Sequence, residues 1–320
     1  MHILAQRYQR FADIEAQGSS PLYEILARHV AQNHKLLAFL ETMPDEKQQP
    51  NLLFAAVRHI AGLQATAAGF ERALIENEDA VRTTMLTRST QTNEPARCAV
   101  LLPILAQIDG PIALIEVGAS AGLCLLPDKY GYIYGEKTLK PPDFDDQTTP
   151  LFHCHATANT PIPEKLPNIV WRRGLDLNPL DVRNEEDIRW LETLIWPEHE
   201  QRMCNLKMAI HTAKQEPPIV QKGNLLTDLN DLVDQAPKNT TLIIFHTAVL
   251  SYIAEQGDRE SFAETAQSRS DFWISNEAAQ IFDRIRPPKT NLAKTGRFLL
   301  SVSGVPKAWT HPHGKSISWI

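Results

Sequence analysis

The sequence predicts an α/β protein, a largely parallel sheet of short buried strands with a helical domain in front of it. Three observations carry that expectation. Up to about Asp109 the apolar residues recur at helical spacing, with no strand-like run. From Pro111 onward, short apolar runs alternate with helical stretches. That second region opens on Ile112–Leu126, IALIEVGASAGLCLL, an apolar run followed by Gly118, Ser120 and Gly122 at alternate positions. Ile112 to Ile115 is too short for a helix and suits a strand buried on both faces. The apolar residues after Gly122 read as the entry to a helix.

The expected helical domain covers residues 1–109. Ile3, Leu4, Tyr8, Phe11 and Ile14 mark a first helix that Gly18 stops. Ser20 and Pro21 form an N-cap and first-turn pair for a second, with Leu22, Ile25, Leu26 and Val30 along it. Another helix runs to about Met43. A long one after Pro50 carries Leu52, Leu53, Ala56, Val57, Ile60 and Leu63. Arg7, Arg28, His29 and His59 read as parts of solvated helix faces. The segment Thr92-Asn93-Glu94-Pro95-Ala96-Arg97 precedes an apolar run from Cys98 to Ile108. Asn93 or Thr92 can cap that helix. Alternatively, the helix start lies over a ligand site, with Arg97 facing a carboxylate and Asn93 or Glu94 facing a polar head group.

The α/β domain is expected over 110–320. A Pro-, Asp- and Tyr-rich insertion at about 129–167 carries Tyr130, Tyr132, Tyr134 and His153-Cys154-His155. Ile169 to Asp176 reads as the second strand, ending in an acid that can accept both hydroxyls of a ribose. The usual gap from glycine turn to acid is ~20 residues, and the insertion accounts for the excess here. Asp181 to Ile195 fits a helix. Ile219 to Leu226 fits a third strand and turn with Gly223-Asn224, Leu242 to Thr247 a fourth ending near His246, and Phe272 to Glu277 a fifth. Arg297 to Val302 and Trp309 to Trp319 read as a closing antiparallel pair, giving seven strands.

Composition narrows the class. The 320 residues are 43% apolar with net charge −6, so no broad basic face for nucleic acid is expected. Cys98, Cys124, Cys154 and Cys204 show no CxxC spacing and read as free thiols of a reducing compartment. The polar first stretch does not read as a signal peptide, and no apolar run approaches the ~20 residues of a membrane span. A cytoplasmic location and no membrane partner are expected. His153 and His155, and His311 and His313, lack finger-like spacing and read as surface or turn histidines rather than as a metal site.

Three readings fit the glycine turn. It can hold S-adenosylmethionine, as the acid-x-Gly-x-x-x-Gly turn of a class I methyltransferase does. It can be a G-x-S-x-G nucleophile elbow with Ser120 attacking. It can also be a strand-to-helix turn kept small for packing. About 110 residues precede GASAG and no HGGG-type oxyanion loop is present, which disfavours the elbow. The first reading explains Glu116, Asp176, Asn224 and His246 together, because ligands of open α/β sheets bind at the carboxyl ends of strands. A GxGxxG fingerprint for a nicotinamide cofactor is missing.

IEVGASAGLCLLPDKYGY, RRGLDLNPLDV, WPEH, GNLLTDL, FHTAVLSY, WISNE and AWTHPHG, together with TNEPARC, resemble an uncharacterised bacterial family catalogued as a domain of unknown function. That family is similar to class I S-adenosylmethionine-dependent methyltransferases. The resemblance covers essentially the whole chain and implies a Rossmann-like, seven-stranded methyltransferase-type sheet. It implies S-adenosylmethionine as cofactor, with Glu116, Gly118, Ser120, Gly122, Asp176 and Asn224 around it. Asn224 stands where an acid is more usual. The expected activity is methylation of a small molecule. His246, which reads equally as a core histidine, would be the general base. Tyr252, Asn276 and Glu277 would orient the acceptor, with Asn93, Glu94 and Arg97 binding it. A module that binds the cofactor without turnover is the further alternative.

Overall fold

The structure, a computed structural model, describes residues 3–91, 93–286 and 296–320. Packing divides the chain into two compact units, Met1–Thr92 with Glu185–Cys204, and Asn93–Asn184 with Asn205–Ile320. The division therefore falls before Asn93 rather than at 109, and a later segment belongs with the helical unit.

The helical unit contains α1 (Ile3–Phe11), α2 (Pro21–Gln32), α3 (His34–Glu41), α4 (Pro50–Ala61), α5 (Ala67–Glu76) and α6 (Glu78–Thr87). Ser20 caps α2 as expected, its Oγ accepting from Tyr23 N at 3.1 Å. That hydroxyl in turn donates to Glu198, which also accepts from Leu22 N, so WPEH serves to fix a helix start. Tyr8, Phe11, Tyr23 and Phe70 surround Phe54 in the core of this unit. After α7 (Cys98–Leu105) in the other unit, α8 (Glu185–Leu194) returns to pack on α4. His59 is not on a solvated face. Its side chain is 6% exposed and bonds Glu186 at 2.7 Å, edge-on to Trp190.

The second unit is built on a nine-stranded sheet. Its strands are β1 (Ile112–Val117), β5 (His155–Ala156), β6 (Ile169–Asp176), β7 (Val220–Lys222), β8 (Thr241–Thr247), β9 (Phe272–Ala278), β10 (Phe298–Val302), β11 (Val305–Thr310) and β12 (Ser316–Trp319). The order is β7-β6-β1-β8-β9-β10-β11-β12-β5. The first five are mutually parallel. From β9 the sheet continues as an antiparallel meander through β12, and β5 pairs parallel to β12. The expected seven strands and closing pair are thus corrected to nine strands, with β10, β11 and β12 continuing from β9 as the meander. Two tight turns, with Gly304 and Gly314 in left-handed conformation, make the meander possible.

Besides β5, the insertion forms a separate three-stranded sheet, β3-β2-β4, of β2 (Gly131–Tyr134), β3 (Lys137–Leu139) and β4 (Leu151–His153). Its tyrosines are buried, and each hydroxyl finds a carbonyl. Tyr130 donates to Leu123 O, Tyr132 to Pro127 O and Tyr134 to Ala99 O. The remaining helices are α9 (Glu200–Gln215), α10 (Leu229–Val233) and α11 (Gln256–Arg269). Among the described residues no helix is long and apolar enough to cross a membrane.

Candidate functional site

Strand order reverses beside β1. From β1 the chain moves outward through β6 and β7, then returns to β8 on the other side. In open α/β sheets such a reversal leaves room for a ligand beyond the carboxyl ends of the strands. The end of β1 carries Glu116 and the GASAG turn.

That turn is closed by protein. Gly118, Ser120 and Gly122 all have positive φ. A Cβ at Gly118 would lie 2.3 Å from Val249 Cγ2, and one at Gly122 would lie 2.7 Å from Pro218 Cβ. Gly118 N and Ala119 N donate to Leu175 O, Gly122 N to Ala119 O, and Ser120 N to Asp176 Oδ2 at 2.8 Å. The expected helix after Gly122 is a single 3₁₀ turn, Leu123–Leu125, buried throughout. The turn therefore presents no α-helix N-terminus to a ligand.

Asp176 is half-buried at the end of β6, and its Oδ1 accepts from Asn178 N at 2.8 Å. Asn224 is exposed after β7, with its amide oxygen taken by Leu226 N. Tyr252 is 60% exposed on a 3₁₀ turn, Leu250–Tyr252, apart from the buried polar residues.

The segment 93–97 carries the centre of the site. Asn93 does not cap α7. Its Oδ1 accepts from Leu123 N at 2.8 Å, which ties this segment to the glycine turn. Thr92, the other candidate cap, lies outside the described residues. Pro95–Arg97 is a 3₁₀ turn that leads into α7. Arg97 is 8% exposed. Its Nε donates to Pro312 O at 2.8 Å, and its Nη1 donates to Thr247 O and Thr247 Oγ1, both at 3.2 Å. Gly314 is pressed against this segment. A Cβ there would lie 1.9 Å from Ala96 O, and His313 Nδ1 lies 3.4 Å from Glu94 Oε2. The THPHG turn and the segment 93–97 thus clasp each other over the ends of β8, β9 and β11.

Beneath the clasp, Asn276 is wholly buried and accepts from Thr310 Oγ1 at 2.7 Å, while its Nδ2 has no partner. Glu116 Oε2 is buried and likewise without a partner. Burial above all, reinforced by the Cys124 thiol, pushes the Glu116 carboxyl well above the usual carboxylate range, with Arg97 acting in the opposite sense. At the rim, burial and the neighbouring His313 lower His311 to about 4, so its Nδ1 stays free to accept from His313 N.

His246 is elsewhere. Val117 is its register partner, and side chains alternate between faces along a strand. Ile115, Val117 and Ile244 belong to the core on one side, so Glu116 and Thr247 face the other. The His246 ring is fully buried against Phe262, Trp273 and Phe282, and its Nδ1 lies 2.8 Å from Glu277 Oε1. Glu277 Oε1 also accepts from Val249 N and Leu250 N. The expected shared cleft of His246 with Glu116 is corrected by this register. The pair instead anchors the turn that closes Gly118.

Of the residues named from sequence, Asn93, Glu94, Arg97, Glu116 and Asn276 come together, and Asp176 joins them through the turn backbone. Thr247 and Thr310 were missed. Their signal was their place in FHT and WTHPHG, as polar residues ending apolar strands. His153 and His155 are exposed, and among the described residues no group of three or more His, Cys, Asp or Glu is placed to hold a metal.

A family model described as "Uncharacterized protein conserved in bacteria (DUF2332)" matches residues 5–319. The chain belongs to that family. Comparison with curated proteins and with solved structures gives no match. Membership in the family therefore spans both units, including TNEPARC and the THPHG turn that meets it.

Proposed function

We propose that the second unit binds S-adenosylmethionine beyond the carboxyl ends of β1 and β6 and methylates a small-molecule acceptor. The observation that carries this reading is the reversal of strand order at β1, with Glu116 and Asp176 ending the two strands beside it. Asp176 fits the role of ribose acceptor. It stands half-buried at the end of β6, and the N–H groups of Ser120 and Asn178 fix its carboxylate there. Asn224, exposed after β7, fits the adenine edge. The glycine turn fits only if Val249 withdraws from Gly118. The cofactor would supply the activated methyl group. The chain would align the acceptor, a contribution of ~7–11 kcal/mol in favourable cases. His246 is sealed on the wrong face for a base, whereas His313 is half-exposed beside Glu94 and can pass a proton to solvent.

The closed turn favours a second reading, a binding module without turnover. The elbow reading has less support. Ser120 does have positive φ, but no long helix follows it.

A ligand that binds only the folded state stabilises it by ~2.7 kcal/mol at a hundredfold excess over its Kd. S-adenosylmethionine or S-adenosylhomocysteine should therefore raise the melting temperature, NAD should not, and Asp176→Ala should shrink the shift. No shift at millimolar concentration, in protein shown by mass spectrometry to be ligand-free, would overturn the proposal.

A further inference from the structure

We infer that the buried polar cluster under the 93–97 segment receives the carboxylate group of a small ligand, held by the Nη2 N–H pair of Arg97 and the side-chain amide of Asn276. The inference does not depend on S-adenosylmethionine.

Five N–H donors belong to a guanidinium. In Arg97, Nε and both N–H groups of Nη1 are engaged by Pro312 O, Thr247 O and Thr247 Oγ1. These bonds lock the planar head and leave Nη2 for a ligand. A locked guanidinium presenting paired N–H groups matches the two oxygens of a carboxylate. Asn276 is the register neighbour of Thr247, on the same face of the sheet. The Thr310 hydroxyl takes its Oδ1, so the amide NH2 is turned away from Thr310 and finds no acceptor in the protein. A buried donor left without a partner costs ~1–3 kcal/mol. Asn276 Nδ2 beside a locked arginine points to a ligand that supplies acceptors, and Glu116 Oε2, unpartnered on the same sheet face, joins them as a donor in its protonated form.

Charge selects the class of anion. Arg97 is the cation that contacts Thr247, and Glu94 has its own partner in His313. Burial favours a neutral Glu116, which can donate its proton to an acceptor but would repel one as a carboxylate. One positive charge beside a neutral carboxyl balances a singly charged carboxylate, whereas a dianionic phosphate would be left with a buried excess charge.

The test uses the intact chain and ¹⁵N-resolved spectra of the Asn276 side-chain amide, identified by its loss in Asn276→Asp. Acetate, propionate and benzoate are titrated at constant ionic strength against acetamide, propionamide, benzamide and inorganic phosphate. At least one carboxylate should give a saturable shift, with its amide and phosphate at least tenfold weaker. Asn276→Asp keeps the shape but replaces the donor, so binding to the folded variant, read from the backbone amides of Arg97 and Thr247, should weaken at least tenfold. Arg97→Lys keeps the positive charge but loses the planar fork, so in the folded variant it should weaken binding at least tenfold as well. Equal binding of the amide, preference for phosphate, no saturable shift with any carboxylate, or undiminished binding by folded Asn276→Asp would each overturn the inference. A shift in melting temperature with S-adenosylmethionine that survives in Asn276→Asp would leave the cofactor proposal standing even then.

Discussion

His246 Nδ1 meets Glu277 Oε1 at 2.8 Å, and both side chains are sealed on the sheet face that Glu116 does not share. A carboxylate can only accept, so Nδ1 carries the proton of this bond. The same Glu277 oxygen holds the N–H groups of Val249 and Leu250. His246→Asn should therefore destabilise the fold by about 2–4 kcal/mol through a lost bond and a gap beside Phe262 and Trp273. Urea denaturation measures this. A change within about 0.5 kcal/mol, the range of ordinary surface substitutions, would remove the anchoring role.

Glu116 should make stability fall as pH rises. Its carboxyl titrates higher in the folded chain than in the unfolded one, mainly because it is buried. Below ~4.3 both states are neutral. Above it the unfolded chain ionises while the folded chain does not, so the unfolded state gains until the folded pKa is passed. Each unit of elevation corresponds to about 1.4 kcal/mol. Glu116→Gln removes this dependence and should gain on the parent between pH 4.5 and 7.5. Parallel denaturation curves at the two pH values, with an unchanged difference between the proteins, would contradict it.

Gly118 and Gly314 should respond differently to alanine. Both have positive φ, so each substitution carries backbone strain. At Gly118 the new Cβ collides with Val249 Cγ2, a side-chain atom, and Val249→Ala should restore part of the lost stability. At Gly314 it collides with Ala96 O, a backbone atom that no side-chain truncation moves. Gly314→Ala should cost more than Gly118→Ala/Val249→Ala in thermal unfolding. The reverse order would show that the clasp yields easily.

The parallel core was readable because Ile112–Ile115, Leu242–Phe245 and Phe272–Ile274 are apolar runs ending in polar residues. The same property hid the faces. A strand buried on both sides shows no alternation, so nothing in LIIFHT says whether His246 or Thr247 faces Arg97. Leu123–Leu126 misled in a similar way, since an apolar run buried on all sides looks like the start of a helix. The segment TNEPARC stood out by its charges, yet Asn93 bonds a residue 30 positions on, and capping is a local rule. The return of 185–204 to the helical unit rests on pairs such as His59 with Glu186, which no local pattern encodes.

The clasp of Gly314 on Ala96 also sets a timetable. Arg97 leaves the ribosome more than two hundred residues before its Pro312 acceptor, and chains grow at ~5–20 residues per second. For at least ten seconds or so, a nascent chain holds a guanidinium and a glycine turn whose final neighbours do not yet exist. The N-terminal helices can pack meanwhile, but the meander that supplies Thr310, Pro312 and Gly314 must arrive before the site closes. Slow synthesis or early release would therefore leave a folded helical portion joined to an open sheet edge, the form of this chain most exposed to chaperones and proteases.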